Sequence, residues 1–288
     1  MTTAPTLCVL GSINLDMVIQ TAHLPRAGET VTQGKFHSTP GGKGANTALA
    51  AQRLGANVRL QAAVGNDPYA KEALSSLRAA GVNLKSVATI DKEATGVAFI
   101  NVAEDGENQI AVASGANAVF SPDHLSAITE AAVLSQFEIP VPTLLAGLNS
   151  YDGFVAVNAS PFTPDVEKVF QRADLIIVNE GEYAAYLSDL EGYSGLLART
   201  LGGEGAELFK NGKLIATAKP PKVEVIDTTG AGDAFAAALT VALAEGQLET
   251  DALNFACTVG ALATTKLGAQ SAAPTRDEVE TLLKVSKT

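Results

Sequence analysis

Cysteine and aromatic residues are scarce in this sequence. Its 288 residues include two cysteines and no tryptophan, and Phe, Trp and Tyr together make up 5%. Cys8 and Cys257 stand in apolar surroundings, and no Cys/His spacing typical of a zinc site occurs. A disulfide framework and a structural zinc site are therefore excluded. We expect a cytoplasmic protein, because the cytoplasm keeps thiols reduced.

Basic charge and long apolar runs are also lacking. Lys and Arg number 20 against 31 Asp and Glu, which gives a net charge of -11. A nucleic acid would have to approach against this repulsion. No apolar run approaches the roughly 18 uncharged residues that a membrane helix needs, and the first residues lack the basic segment of a secretory signal. We expect neither a nucleic-acid partner nor a membrane partner.

The residues that are abundant predict a layered α/β fold. Hydrophobic residues make up 47% of the chain, and short apolar stretches alternate with segments that carry helix caps. Such alternation is typical of a mostly parallel sheet covered by helices on both faces. The predicted strands are Thr6–Leu10, Val58–Val64, Val133–Phe137, Phe154–Val157, Leu175–Val178 and Val223–Ile226. The predicted helices are Asn46–Leu54, one from Asp67 to Gly81, Ala234–Ala244 and Asp251–Lys266, with further helix starts at Ser121–Pro122, Thr163–Pro164 and a capping box at Thr275 and Glu278.

Two stretches depart from this alternation. Asn14–His37 and Thr95–Ser114 both alternate with a period of two residues, the second around a turn at 104–107. We interpret them as a small separate sheet that forms a lid at about 14–38 and 95–114 on a single α/β domain over 1–288. The alternative is a surface β-extension without function.

The segment Asp227–Asp233, with sequence DTTGAGD, carries the sharpest chemical signal. Gly230 and Gly232 allow a tight turn whose N–H groups point outward at the start of a helix, where the dipole favours an anion. Asp233 in the first turn is either a helix cap or a base beside an anion hole, as phosphoryl transfer to a hydroxyl requires.

A second glycine loop, PGGKGAN, opens the next candidate helix at residues 40–46. None of the three Gly-Lys pairs is followed by Ser or Thr, so this is not a Walker A loop, and no G-x-G-x-x-G follows a strand. Lys43 and Asn46 are good donors to sugar hydroxyls or phosphates. The alternative is a flexible turn with a solvated lysine.

Two further polar motifs follow predicted strands. In GSINLD, Asn14 and Asp16 alternate onto one face, where both can bind neighbouring hydroxyls; two turn-forming residues are an equal alternative. In NEGE, Asn179 and Glu182 share one face of a helical turn and can hold a hydrated Mg²⁺. An acidic helix start, favoured by the macrodipole alone, is the alternative there.

Taken together, these motifs resemble the ribokinase family of carbohydrate kinases nearly from end to end. The matching segments are GSINLD, GGKGAN, the Glu of QFEIP, NEGE, TLGGEG, DTTGAGD and KLGAQ. The resemblance implies a three-layer ribokinase-like α/β fold with a central mostly parallel sheet and a small β-sheet lid. It also implies transfer of the γ-phosphoryl group of ATP to the 5-hydroxyl of D-ribose, and a homodimer formed through the lid sheet.

The resemblance assigns a role to each matching residue. The base is Asp233, with the amides of Gly230, Ala231 and Gly232 stabilising the moving phosphoryl group. The sugar-binding residues are Asn14, Asp16, Gly42, Lys43, Asn46, Glu138 and Asp233. The nucleotide-binding residues are Asn179, Thr200, Gly202, Gly205, Gly232 and Cys257. A monovalent cation, K⁺, is held by Asp227 and the chain at Thr229, Ala263, Lys266 and Gly268, and Mg²⁺ is contacted indirectly by Glu182.

One segment departs from the family pattern. Only 20 residues (180–199) separate Asn179 from Thr200, where related chains have room for another helix–strand pair, so most of one helix is expected to be missing. This leaves two alternatives to a ribose kinase. One is a kinase of the same family acting on another sugar or a nucleoside, and the other is a catalytically weak sugar-binding relative.

Overall fold

The computed structural model describes residues 4–285, which form two β-sheets and the helices packed on them. Within that range, every helix is too short or too polar to cross a membrane. The strands are β1 (Thr6–Leu10), β2 (Asn14–Thr21), β3 (Lys35–Gly41), β4 (Asn57–Gly65), β5 (Asn83–Ile90), β6 (Gly96–Ala103), β7 (Asn108–Ala113), β8 (Ala132–Ser135), β9 (Phe154–Asn158), β10 (Leu175–Asn179), β11 (Leu196–Thr200), β12 (Ala206–Lys210) and β13 (Lys213–Ala218).

The helices lie mainly between the strands of the larger sheet. The α-helices are α1 (Lys43–Arg53), α2 (Pro68–Ala73), α3 (Ser75–Ala79), α4 (Val141–Asn149), α5 (Glu167–Arg172), α6 (Glu180–Ala185), α7 (Ala231–Ala244), α8 (Glu249–Leu262), α9 (Ala269–Ala272) and α10 (Arg276–Val285). Short 3₁₀ helices cover Gly115–Val119, Pro122–His124 and Gly202–Glu204.

The larger sheet has the strand order β13-β12-β11-β10-β9-β8-β1-β4-β5. Its pairs from β11 across to β5 are parallel, whereas β12 and β13 pair antiparallel at one edge. Parallel neighbours require crossover connections, and helices supply most of them. The carboxyl ends of the parallel strands therefore meet at one edge of the sheet, where ligand sites of α/β proteins form.

Side-chain alternation along β1 explains the three layers. Leu7 and Val9 belong to a hydrophobic cluster shared with α1, α7 and α8, whereas Cys8 and Leu10 belong to a second cluster shared with α4 and α5. Both faces of the sheet are thus buried, as the apolar composition of the strand requires. The predicted three-layer α/β architecture is confirmed.

The smaller sheet has the order β3-β2-β6-β7, with β2 and β6 parallel and the other two pairs antiparallel. It contains the two stretches predicted to form a separate sheet. Its inner strand β2 begins at Asn14, and only three residues separate it from the end of β1 at Leu10. One extended run of chain therefore passes from the core of the large sheet directly into the small one.

Local sequence signals were right at several helix ends. The Asp67 side chain accepts a hydrogen bond from the Ala70 amide at 3.0 Å, so it caps α2 as predicted. The capping box at Thr275 is present too, with Glu278 accepting hydrogen bonds from the Thr275 amide and hydroxyl. The helix predicted from Asp67 to Gly81 is divided at Leu74, although Leu74 still accepts a hydrogen bond from Arg78 across the division.

Three predicted elements differ in the structure. The strand Val223–Ile226 is not formed: the segment joins neither sheet, the Ile226 amide donates to the Thr264 carbonyl at 2.8 Å, and the side chains of Val225 and Ile226 remain exposed. The helix start predicted at Thr163–Pro164 is wrong: the Thr163 amide donates to the Tyr186 hydroxyl, and the helix begins only at Glu167.

The third is the helix start at Ser121–Pro122, which opens a single 3₁₀ turn instead of an α-helix.

Candidate active site

Asp233 lies in the first turn of α7, at the carboxyl edge of the large sheet, and its side chain is only 5% exposed. Its Oδ2 accepts a hydrogen bond from the side-chain amide of Asn46 at 3.0 Å, and its Oδ1 accepts one from the side-chain amide of Asn158 at 3.5 Å. The ammonium of Lys43 lies 3.9 Å from Oδ1. The carboxylate is therefore held by donors from two other elements, α1 and β9.

Burial raises the pKa of Asp233 above its usual value, against the opposing effects of the Lys43 charge and the Asn46 hydrogen bond. A carboxylate with a raised pKa accepts a proton more readily. The Asp233 charge in turn raises the pKa of Lys43, while burial of the ammonium opposes this. Lys43 therefore stays protonated beside this carboxylate.

The glycine loop before α1 fits tightly against β1 and β2. Gly42 has φ of 89°, a left-handed conformation that favours glycine. A Cβ on Gly41 would lie 2.2 Å from Oδ2 of Asp16, and one on Gly44 would lie 2.5 Å from the Ser12 amide. These close approaches require glycine, and they bring Lys43 and Asn46 to the carboxyl edge of the sheet.

Glu138 anchors this loop. Its Oε2 accepts a hydrogen bond from the Ser12 hydroxyl at 2.5 Å and another from the Lys43 amide at 2.9 Å. The Ser12 oxygen accepts in turn from the Gly44 amide at 3.3 Å. The carboxylate therefore joins the end of β1 to the start of α1, within the group predicted to bind the sugar.

Asp16 lies near two other acidic groups. Burial, together with the charges of Glu138 and Asp233, raises the pKa of Asp16 to about 7. Three carboxyl groups thus face one region in which Lys43 is the nearby cation. Carboxylates, amides and one ammonium are groups that hydrogen-bond sugar hydroxyls well.

Asn117 and Asn158 were missed by sequence analysis. Asn117 is 1% exposed; it accepts from the Ile13 amide and donates to the Ile13 carbonyl and to Oδ1 of Asn14, all within 3.0 Å. No local pattern distinguished it within its apolar segment. Asn158 ends β9. The rule that ligand sites lie at the carboxyl ends of parallel strands, which identified Asn179 on the next strand, was sufficient to find Asn158 as well.

A cavity of about 430 Å³ lies at the start of α7, where Ala231 and Gly232 line it. Gly232 lies in its wall directly beside the catalytic candidate, and a Cβ built on Gly232 would meet no atom within 4 Å. Five of the six predicted nucleotide-binding residues line this cavity: Thr200, Gly202, Gly205, Gly232 and Cys257.

The sixth, Asn179, caps α6 beside the cavity. It pairs with Thr200 across β10 and β11, and its side chain accepts from the Glu182 amide at 2.8 Å. The Glu182 carboxylate completes the box by accepting from the Asn179 amide at 2.9 Å. Helix α6 is only six residues long, as the shortened 180–199 segment predicted, but strand β11 is retained.

The start of α7 has the geometry of an anion site. Gly230 is in the left-handed region with φ of 76°, and a Cβ there would lie 2.4 Å from that of Ala269. The Ala231 amide donates to the Thr228 carbonyl at 3.2 Å. The next amides, of Gly232 and Asp233, belong to the first turn, whose N–H groups point out of the helix end.

Asp227 organises the segment behind this helix end. Its Oδ1 accepts from the Thr229 amide and hydroxyl at 2.9 and 2.6 Å, and its Oδ2 accepts from the Gly268 amide at 2.8 Å. Burial alone would raise the pKa of Asp227, but these hydrogen bonds outweigh burial and lower it, so the group stays ionised. The Lys266 ammonium lies 3.2 Å from Glu278, and Ala263 ends α8 as its C-cap.

Comparisons with known proteins extend along nearly the whole chain. The profile of the pfkB family of carbohydrate kinases matches residues 4–276. The ribokinase of Bacillus subtilis (strain 168) is 38% identical over 291 residues, which cover 96% of this chain and 99% of the relative.

Solved structures are also similar along nearly the whole chain. Thermotoga maritima ribokinase matches with a TM-score of 0.89 and 31% identity, covering 97% of this chain and 99% of that chain. Arabidopsis thaliana ribokinase complexed with ribose and ATP matches with a TM-score of 0.88 and 28% identity, covering 98% and 99% respectively.

Proposed function

The chain belongs to the pfkB family of carbohydrate kinases, and we propose that it transfers the γ-phosphoryl group of ATP to the 5-hydroxyl of D-ribose. The observation that carries this proposal is the position of Asp233. Its carboxylate contacts the sugar-binding candidates Asn46 and Lys43, and the residue before it, Gly232, lines the 430 Å³ cavity. A base between an acceptor site and a nucleotide site is the arrangement that phosphoryl transfer requires.

The sugar is proposed to bind among Asn14, Asp16, Lys43, Asn46 and Glu138, with the loop at Gly42 approaching it closely. Asn14 and Asp16 reach the sugar from β2, and the others from α1 and the end of β8. Because polar side chains surround the pocket from both sheets, each hydroxyl can meet a donor or an acceptor. A substrate lacking one of these hydroxyls would leave buried groups unpaired, and this favours a defined sugar.

In the reaction, Asp233 takes the proton of the 5-hydroxyl while the oxygen of that hydroxyl bonds to the γ-phosphorus. The bond from that phosphorus to the bridging oxygen breaks, so that ribose 5-phosphate and ADP form. The amides of Gly232 and Asp233, at the positive end of α7, stabilise the charge on the transferred group. Lys43, 3.9 Å from the base, supplies a further positive charge.

Mg²⁺ is proposed to enter with the nucleotide. No group of three or more His, Cys, Asp or Glu side chains in residues 4–285 is arranged to hold a metal by itself. This suits Mg²⁺, which keeps several waters and binds through phosphates and few carboxylates. One oxygen of Glu182 is used in the helix cap, and the other is proposed to bind water of the hydrated ion.

A monovalent cation, K⁺, is proposed to bind beside Asp227. The carboxylate stays ionised, its partners are N–H and O–H dipoles, and its neighbours at Thr229 and Gly268 form the turns behind α7. Lys266, whose ammonium lies beside Glu278, would contribute only its main chain, as would Ala263. Assays with K⁺ and with Na⁺ test this: we expect K⁺ to raise kcat in the unaltered enzyme and not in Asp227→Asn.

The lid is proposed to pair with that of a second copy, so that the enzyme is a homodimer. The strand register places Val112 on the same face of the small sheet as Asp16. Val112 is 55% exposed and Ile110, two residues before it on that face, is 59% exposed. Covering such apolar side chains favours association. Light scattering should give a dimer, and Val112→Glu a monomer.

The proposed location is cytoplasmic. Cys8 and Cys257 are both buried free thiols, and a reducing compartment keeps such groups reduced. Expression of a tagged chain followed by fractionation tests this directly.

A coupled assay of ATP consumption over a panel of D-ribose, other sugars and nucleosides tests the central proposal. We expect D-ribose to give the highest kcat/KM. Turnover of a nucleoside or another sugar with ribose inert would replace the substrate and keep the kinase. Ribose binding in calorimetry without turnover of any compound would indicate a sugar-binding relative.

A further inference from the structure

The cavity beside Gly232 is built to enclose a nucleobase without selecting adenine by its hydrogen bonds. We propose that purine nucleoside triphosphates in general, including GTP and ITP, serve as phosphoryl donors to this enzyme. The inference rests on the proposed function, because it assigns the cavity to the nucleotide. The observations behind it are the polar and apolar groups that line this cavity.

Three polar side chains of the wall direct their hydrogens at the protein itself. The Thr264 hydroxyl donates to the Ala261 carbonyl at 2.7 Å, the Thr200 hydroxyl to the Val178 carbonyl at 3.4 Å, and the Cys257 thiol to the Ala218 carbonyl at 3.8 Å. Burial raises the pKa of Cys257 to about 12, so the thiol remains a neutral group. A hydroxyl in this state can still accept, and it accepts equally from the N6 amino group of adenine and from N1–H of hypoxanthine or guanine.

One stretch of the wall has main-chain donors only at Lys222, Val223 and Val225. Pro220 and Pro221 both line the cavity, and proline has no N–H. The ring nitrogens N1 and N7 of adenine are acceptors, so their recognition requires donors at fixed positions. Two consecutive positions of the wall cannot supply them.

The rest of the wall is largely apolar, and its two remaining polar side chains do not favour adenine. Val223, Val225 and Phe235 provide contact surface for any flat base. Lys222 is exposed, and an ammonium donates better to O6 and N7 of guanine than to the edge of adenine. Thr228 stands before the α7 turn, on the phosphate side.

The apolar character of the cavity wall sets how strongly the enzyme can discriminate between purine bases. Apolar pockets separate similar ligands by about 10-fold to 200-fold, whereas sites built to hydrogen-bond a substrate group reject analogues by about 10⁴-fold or more. This wall belongs to the first kind. The ratio of kcat/KM between ATP and ITP, which differ at the six-position and N1, should therefore stay below about 200.

The test measures kcat/KM of the unaltered enzyme for ATP, ITP and GTP at saturating D-ribose. Calorimetric binding of the same nucleotides without sugar runs in parallel. Ratios below about 200 for both ITP and GTP support the proposal, and a ratio above that value for either overturns it. If ATP itself gives no turnover with ribose, the proposed function fails, and the calorimetric ratios still decide the question of base selection.

Cys257→Ala is the matched variant, because it removes the thiol from the wall without adding volume or a new polar group. The ATP-to-ITP ratio of binding constants should change by less than about threefold, since the side chain does not read the base. A larger change would show that position 257 contacts the base edge, and would overturn the proposal. Thermal unfolding of the variant confirms that it is folded before the ratio is compared.

Discussion

The side-chain amide of Asn46 donates a hydrogen bond of 3.0 Å to Oδ2 of Asp233. The two residues are 187 positions apart in the chain, and they join the first turn of α1 to the first turn of α7. Because Asn46 also lies among the proposed sugar-binding groups, the contact couples the orientation of the proposed base to the proposed sugar pocket. This relationship leads to the first prediction.

Asp233→Asn should abolish turnover without abolishing sugar binding. The amide keeps the shape of the side chain but cannot take the proton of the 5-hydroxyl, and proton transfer by a positioned base contributes about 10²-fold to 10⁴-fold. We expect kcat to fall by about 10³-fold while calorimetry still detects ribose. Asp152→Asn, at an exposed loop position, is the control. A fall in kcat of less than about tenfold would contradict the role of Asp233.

Gly232→Ala should give a folded but impaired enzyme. A Cβ at Gly232 meets no protein atom within 4 Å, so the protein has room for it, and alanine is favoured over glycine in a helix by about 1 kcal/mol. The methyl group would nevertheless occupy the space proposed for the phosphoryl group. We expect the free energy of unfolding to be unchanged or higher, and kcat/KM for ATP to fall at least tenfold. Full activity together with full stability would exclude a phosphoryl group at this position.

Asp16→Asn should stabilise the protein in a pH-dependent way. The folded pKa of Asp16, about 7, lies above the usual value of about 3.9 for an unfolded chain. The folded state therefore binds the extra proton, and stability from this group is lost as the pH rises from about 4 through about 7. Above pH 7 the ionised carboxylate lies close to Glu138 and Asp233, and a neutral amide relieves the repulsion.

The measurement is Tm at pH 5 and at pH 8 for the unaltered chain and for Asp16→Asn. The gain in Tm should be larger at pH 8. Asp152→Asn serves again as the exposed control. An equal gain at both pH values would show that the pKa of Asp16 is not raised in the folded state.

Asn117→Ala should weaken sugar binding more than nucleotide binding. The change leaves the buried amide and carbonyl of Ile13 without their side-chain partner and removes the donor that orients Asn14. We expect a loss of about 2–3 kcal/mol in the free energy of unfolding, and a rise of at least tenfold in KM for ribose with KM for ATP changed less than threefold. Asn254→Ala, exposed on α8, is the control; equal rises in both KM values would indicate a general structural effect.

Elements with strong local signals were predictable from the sequence. Strand Thr6–Leu10 was predicted with its observed bounds, and Asp67 was identified as a cap from its place before Pro68. The antiparallel edge pair β12–β13 was missed, although Asn211-Gly212 stands between its strands with both residues at positive φ, the common hairpin signal. The segment at Val223 shows the opposite case: its sequence is typical of a strand, but it joins neither sheet, and the Ile226 amide donates to the Thr264 carbonyl instead.

The candidate site was predictable only where a motif contained it. The glycine loop and the DTTGAGD turn each hold their residues within a few positions, so a sequence pattern identifies them. Asn158 and Asn117 contact Asp233 and Asn14 from positions 75 and 103 residues away. Such contacts depend on how strands and helices pack, and no local pattern specifies that register.

Strand β2 belongs to the small sheet and carries Asn14 and Asp16, whereas Asp233 and its partners belong to the large one. A sugar bound by Asn14 and Asp16 on one side and by Asp233 and its partners on the other would connect the two sheets. Tilting the small sheet away would pull two contacts from the sugar at once, so release of the product and opening of the lid would be a single motion. The affinity for sugar and the ease of moving the small sheet would then be two measures of the same equilibrium.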